Sequence, residues 1–327
     1  MHRLKDLSAW LILGVLTIMT PALTTAQEPY PQRPIKLIVP YPPGGTTDVI
    51  ARNIAQTLSE RLGVSVVVDN KAGAAGMIGM AAVAKAAPDG YTLLVSDASI
   101  ATTPSLNKTM SFDPLKDLTA VAWFVTVPHV IVVNPKNGIE SLNDLITLAK
   151  KDSEKLYFSS GGMGSPLHLA GEAVRTSASI NWVHVPYKGG GPAILAVMSG
   201  DAQVAVPSLP SVLPQLEAGK LKALAVTSPK RVKTLPMVAS VTELGFPDAV
   251  ALGWIGLHAP TGTPTEIIRK LETISAQILK EPSLRNRMTE QGAELVEDPS
   301  ARAYTEFVSA QTLSWEKIVK AAQIEVQ

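Results

Sequence analysis

The sequence predicts an α/β fold. Three observations carry that prediction: short β-branched segments recur along the chain, amphipathic helical patterns alternate with them, and glycine and proline concentrate at the joints. Ile35–Val39, Val64–Val68, Thr92–Val95, Val130–Val133, Val183–Val185, Gln203–Val206 and Leu224–Val226 read as strands of a mainly parallel sheet. After the first, Ile50, Ile54, Leu58 and Leu62 recur every four residues, and Gly63 suits a C-terminal cap. Leu142–Lys150 and Pro264–Leu279 are further helices, the second with Thr263 as N-cap and Pro264 as its first helical residue.

The first residues read as an export signal. Arg3 and Lys5 precede an apolar run from Ala9 to about Ile18, and Thr24-Thr25-Ala26 offers small residues where a signal peptidase cuts. The run is shorter than the ~20 apolar residues that span a bilayer, and Pro21 interrupts it. Residues 1–26 are therefore expected to be cleaved, which implies a periplasmic protein that is not inserted in the membrane. Losing Arg3, Lys5 and Asp6 from 29 Lys+Arg and 28 Asp+Glu leaves 27 of each, so no global charge points to nucleic acid or an anionic membrane. The chain has no cysteine, which excludes disulfides and thiolate chemistry. Length allows two ordinary domains or one large one.

Two segments bear on domain organisation. Val127–Pro135 (VPHVIVVNP) and Leu252–Pro260 (LGWIGLHAP) are apolar, extended in character and closed by proline, and they bracket a self-sufficient α/β stretch. They suit a chain that leaves one lobe, builds a second and returns; they suit equally two core strands of a single sheet.

Three turns stand out. In Pro42-Pro43-Gly44-Gly45-Thr46-Thr47-Asp48 the prolines stiffen the approach, the glycines admit close backbone contact, and Thr46 or Thr47 can cap the helix that follows. Free N–H groups and the positive end of the helix dipole then face outward as an anion site, without the lysine of a nucleotide-binding loop. The stretch from Tyr157 to Val174 repeats the logic with Ser165 as N-cap and Pro166 next; Val183–Gly200 repeats it with Gly189–Gly191, Pro192 and a terminal Gly200. Three such helix starts can converge on one small anion.

Other motifs carry less. Gly73, Gly76 and Gly79 lack dinucleotide spacing and read as a loop closing onto a helix. Ser105-Leu106-Asn107-Lys108 matches the S-x-x-K nucleophile motif without its partner motifs, and no G-x-S-x-G elbow occurs. His168 and Glu172 sit one helical turn apart without further metal ligands, so His168 is expected to make an interhelical or lobe-bridging hydrogen bond. Neither a catalytic set nor a cofactor or metal is expected.

The blocks YPQRPIKLIVPYPPGGTTDVIAR, DGYTLL, FDPLKDLTAVA, VIVVNP, HLAGE, VHVPYKG, GKLKALAVTSPKR and GLHAPTGTP together resemble the solute-binding receptors of tripartite tricarboxylate transporters, also called the Bug family. The resemblance runs over essentially the whole chain after the signal. It implies a two-lobed periplasmic binding protein of type II-like architecture, two Rossmann-like lobes joined by two hinge strands: residues 27–129 plus 254–327 in one, 130–253 in the other. It implies a monomer that closes on a small carboxylate and hands it to a membrane permease. Carried over by position, the carboxylate is gripped by Tyr41, Pro43, Gly44, Thr46, Thr47 and Asp48, with Ala74, Gly76 and Ser99 alongside. The second lobe contributes Ser160, Gly161, Gly164, Ser165 and His168, then Tyr187, Lys188 and Gly189, and lastly Pro207 and Ser208.

One departure bears on the ligand. Where many relatives read FDNLP this chain has Val206-Pro207-Ser208-Leu209-Pro210, which removes a counter-charge for a ligand ammonium and favours an acid without an amine. An aromatic dicarboxylate or a C4–C6 di- or tricarboxylate is the expected class. A ligand-sensing subunit of a signalling partner, or a secreted hydrolase, are the rival readings.

Overall fold

The computed structural model describes residues 30–107, 110–322 and 324; the expected signal and its cleavage site lie outside them, as does Lys108 of the S-x-x-K match. From Pro31 on, the chain packs as one unit. Its strands are β1 (Ile35–Val39), β2 (Val66–Asn70), β3 (Thr92–Ser96), β4 (Leu118–Pro128), β5 (Val130–Val133), β6 (Tyr157–Ser160), β7 (Val183–Pro186), β8 (Val204–Ala205), β9 (Lys222–Val226), β10 (Leu252–Pro260) and β11 (Glu294–Leu295). Its helices are α1 (Thr46–Leu62), α2 (Met77–Ala84), α3 (Ser99–Leu106), α4 (Pro114–Asp117), α5 (Leu142–Lys151), α6 (Pro166–Ser177), α7 (Gly190–Ser199), α8 (Leu209–Glu217), α9 (Thr265–Ile278), α10 (Pro282–Glu290) and α11 (Ala301–Ala321).

Two sheets result, ordered β11-β4-β10-β3-β1-β2 and β7-β6-β8-β5-β9. Both are mixed, not mainly parallel as expected. β1 runs parallel to β2 and β3, but β10 enters antiparallel between β3 and β4, from Leu252 opposite Pro128 to Pro260 opposite Leu118. In the second sheet β6 runs parallel to β7 and β8, while β5 is antiparallel to β8 and β9. A strand that returns from a distant part of the chain owes its direction to where it re-enters, which the periodicity of its own residues does not encode.

Of the two bracketing segments, Val127–Pro135 crosses between the sheets, while Leu252–Pro260 is a core strand of the first sheet throughout. β4 ends in the first sheet at Pro128 and β5 begins in the second at Val130, with His129 between; the chain comes back at Leu252. Thr227, fully buried, lashes the crossings together. Its Oγ1 donates to the Ala251 carbonyl at 2.6 Å and accepts from the His129 N–H at 3.1 Å. Its N–H donates to the His129 carbonyl at 2.9 Å, and its carbonyl accepts from the Ala251 N–H at 3.1 Å. Burial pushes the His129 imidazole down to about 4, so it sits there neutral.

Packing fixes the frame behind the strand ends. On α1 the predicted stripe is realised: Ile50, Ile54 and Leu58 are buried, each worth roughly 1.5–3 kcal/mol relative to exposure, and Gly63 closes the helix in the left-handed conformation. α11 buries Tyr304, Val308 and Trp315. Trp123 stacks on Phe307 at 4.0 Å between ring centres, and Trp254 meets Phe307 edge-on. The Tyr304 ring lies so close over β10 that a Cβ on Gly256 would come within 2.4 Å of it. The predicted cap at Thr263 is not realised: α9 starts at Thr265, and the Thr263 hydroxyl donates back to Pro260 at 2.7 Å.

Candidate functional site

In each sheet one strand is flanked by the two strands that follow it in the chain: β1 lies between β2 and β3, and β6 between β7 and β8. Helices leaving such a strand and its neighbour diverge, and the crevice at their carboxyl ends is where open α/β sheets place ligands. At these ends five helices begin: α1 and α3 behind the first sheet, α6, α7 and α8 behind the second. The two groups of turns meet. Thr46 Oγ1 lies 3.0 Å from Ser208 Oγ, and the Leu106 side chain fills the space beside Gly164.

The first turn is held by Asp48, not by a threonine cap. Gly45 occupies the N-cap position without a side-chain bond, and Thr46 is the first helical residue. Asp48, nearly fully buried, reaches back to accept from the Gly44 N–H at 2.9 Å, and from Arg52 and Asn70. Burial opposes ionisation here, but the hydrogen bonds from Arg52, Gly44 and Asn70 outweigh it and hold the carboxyl below the usual carboxylate range. Its charge is thus spent inside the turn. Asn70 also donates to the Tyr41 carbonyl at 3.0 Å. Pro43 and Gly44 stay exposed at the tip, and Thr47 is buried below them.

A second loop presses against this turn. Ala74 and Ala75 have φ of 46° and 52° and Gly76 has 94°, a run of left-handed backbone that stores strain at the site. A Cβ on Gly76 would lie 3.3 Å from Ser99 Oγ and 3.4 Å from Tyr41 Oη. These three predicted residues surround one that sequence reasoning missed, Asp97, which follows β3 directly. Its Oδ1 accepts from Ser99 Oγ at 2.6 Å, the Ser99 N–H at 3.0 Å and Tyr41 Oη at 3.2 Å. Burial pushes the Asp97 carboxyl up, and burial beside Asp97 pushes the Tyr41 phenol up. An acid two residues before a serine, between a strand and a helix, is the signal that could have found it.

In the second group Ser165 caps α6 as expected, accepting from the His168 N–H at 3.3 Å. His168 is no lobe bridge: its Nδ1 accepts from the Gly164 N–H at 3.1 Å, and its ring stacks on His184 at 4.0 Å. Burial and the nearby His184 and Arg175 push it down to about 3, so it is a neutral prop beneath the turn. Gly161 packs against the Gly189 backbone so tightly that a Cβ would lie 3.3 Å away, which binds this turn to the Tyr187–Gly189 one. α7 begins at Gly190, two residues before Pro192. Lys188 is exposed and makes no ion pair among the described residues. Pro207 is buried, its carbonyl accepting from Val130 N–H, and Ser208 faces Thr46. Ser160 Oγ lies 2.6 Å from His184 Nε2, the spacing of a nucleophile and its base. Ser160 is fully buried and also accepts from the Gly162 N–H.

Two α/β sheets with helix starts opposed across their carboxyl ends have the architecture of a two-lobed binding protein. Comparison with known proteins specifies it further. Residues 50–324 match the model of the tripartite tricarboxylate transporter family receptor. BugT of Bordetella pertussis is 41% identical over 276 residues, covering 83% of this chain and 84% of BugT. The R. palustris protein Rpa4515, solved with adipate, superposes with a TM-score of 0.85 at 36% identity over 91% of this chain and all of that one. MatC of Rhodopseudomonas palustris, solved with bound malate, gives 0.79 at 28% identity over 89% of this chain and all of MatC. The chain belongs to the tripartite tricarboxylate transporter receptor family, a family of solute-binding receptors.

Proposed function

We propose that this protein captures a small organic carboxylate, an aromatic dicarboxylate or a C4–C6 di- or tricarboxylate, in the periplasm and delivers it to the permease of a tripartite transporter. The observation that carries this reading is the convergence of α1, α6, α7 and α8 N-termini around turns 41–48, 160–165, 187–189 and 206–208, where the first N–H groups of the helices and their dipoles favour an anion without a fixed cation. The lobes divide at the crossings, near His129 and Ala251. Ligand touches both groups of turns only when they are closed, so binding shifts the population towards closure, which a permease then reads. The acids bound by Rpa4515 and MatC, adipate and malate, fall within the proposed class.

The test is calorimetric titration of protein unfolded and refolded to strip its ligand, against aliphatic di- and tricarboxylates, aromatic carboxylates and acidic amino acids. Tight binding of a carboxylate that is lost when Thr47 and Ser165 are replaced by bulky residues supports the reading. No binding by any carboxylate refutes it.

A further inference from the structure

Asp97 is an anomaly in a site built to receive anions. It stands at the crevice between β1 and β3, fixed by Tyr41 and Ser99, both candidate ligand residues. The Ser99 and Tyr41 donors all converge on Oδ1; among the described residues no other residue donates to Oδ2, and no lysine or arginine pairs with the carboxyl. Starting α3 does not require an acid, since serine or asparagine makes the same bond to the Ser99 N–H. A partly buried carboxyl oxygen that no other residue meets is left to solvent, and a ligand that displaces that solvent must bring a donor of its own or forfeit the bond.

We propose that Asp97 is a specificity-determining residue whose Oδ2 accepts a hydrogen bond from a hydroxyl or ammonium on the bound acid, so that the substrates are hydroxy- or amino-substituted carboxylates. This rests on the reading above that the site takes a small carboxylate. It also restores to the cleft the acceptor that the Val206–Pro210 stretch lacks, and so reopens the amine that the stretch alone argued against. A plain dicarboxylate leaves Oδ2 unpaired and sets a second anionic group beside it, which disfavours that ligand on both counts.

The test is a calorimetric comparison, at neutral pH on the stripped protein, of acids matched in carbon skeleton: succinate with malate and aspartate, glutarate with its 2-hydroxy and 2-amino forms, phthalate with hydroxyphthalate. In one series the substituted acid is expected to bind about tenfold or more tightly than the plain one, and the better of hydroxyl and amine identifies the donor. In Asp97→Asn that preference falls to within about threefold, the substituted acid losing affinity while the plain acid gains it, because the amide that replaces Oδ2 is uncharged and donates instead of accepting. Asp97→Ser, which keeps the bond to Ser99, serves if the asparagine variant melts early. Plain acids that bind as well as substituted ones, or variants that weaken every acid equally, overturn the role of Asp97 and leave the carboxylate reading intact. Silence from every acid overturns both.

Discussion

Thr227→Val tests the hinge with little change in side-chain volume. The Thr227 hydroxyl's bonds disappear: its proton, shared between the Ala251 carbonyl at 2.6 Å and the His129 carbonyl at 3.2 Å, and the bond it accepts from the His129 N–H at 3.1 Å. The Ala251 carbonyl has His129 Nδ1 as a second neighbour at 3.3 Å, but the His129 N–H is left buried without its acceptor. An unsatisfied buried donor costs about 1–3 kcal/mol, and the second lost bond adds about 1, so the loss should be roughly 2–4 kcal/mol. Thr227→Ser keeps the hydroxyl and removes one methyl, worth about 1 kcal/mol. Urea denaturation of ligand-free protein gives both values, and a fluorescence-transfer pair on the two sides of the cleft reads the closed population. A valine variant as stable as wild type, or a serine variant as damaged as the valine one, would show that Thr227 does not tie the crossings.

Other outcomes follow from the same geometry. Gly256→Ala places a Cβ 2.4 Å from the Tyr304 ring and forces it off Ser96, so stability should fall by about 1–3 kcal/mol, read as a lower melting temperature. Gly76→Ala strains a residue at φ 94° and crowds Ser99 and Tyr41; ligand affinity should drop about tenfold or more by calorimetry, with smaller loss of stability. Acid should destabilise the fold early. His129, His168 and His258 are neutral in the folded state, pushed by burial to about 4, 3 and 3, and unfolding lets them take up protons below pH 6.5. Each then removes about 1.4 kcal/mol per pH unit until the folded value is reached; equal denaturation midpoints at pH 7.5 and pH 5 would contradict this. Asp48→Asn removes the charge that gathers Arg52, Asn70 and the Gly44 N–H, and should weaken ligand binding through the turn's order even though the carboxyl has no vacancy for a ligand.

What could be read in advance was what neighbours in sequence decide. Ile35–Val39, Gly63, Ser165 and Gly200 fall where propensity and cap chemistry put them, because the groups they satisfy lie within one turn. The threonine cap failed for a local reason too: the helix begins at Thr46 with Gly45 in the cap position, and Asp48 pins the turn from inside the helix by accepting from the Gly44 N–H. The rest depends on distant partners. β10 pairs antiparallel with β4 across more than a hundred residues of chain, and nothing in LGWIGLHAP states that direction. His168 stacks on a histidine from another strand, which no helical spacing reveals. Asp97 takes its meaning from Tyr41, which lies just past the end of the neighbouring strand β1 and far from it in sequence.

Placed side by side, the two polar carboxyls of the first group of turns divide the work of recognition. Asp48 lies in the turn that offers free N–H groups, and its own charge is fully met, so it adds order without repelling an anion. Asp97 lies one strand away with half its carboxyl unmet. A carboxylate that settled between them would find donors on the α1 side and an acceptor on the α3 side, a polarity that only an acid with its own donor satisfies at both ends. Helix ends supply attraction for any anion, so affinity alone would not discriminate; the unmet oxygen penalises ligands that bring nothing to it. Selectivity in this cleft is therefore placed on the one residue that a receptor for anions would otherwise be expected to avoid.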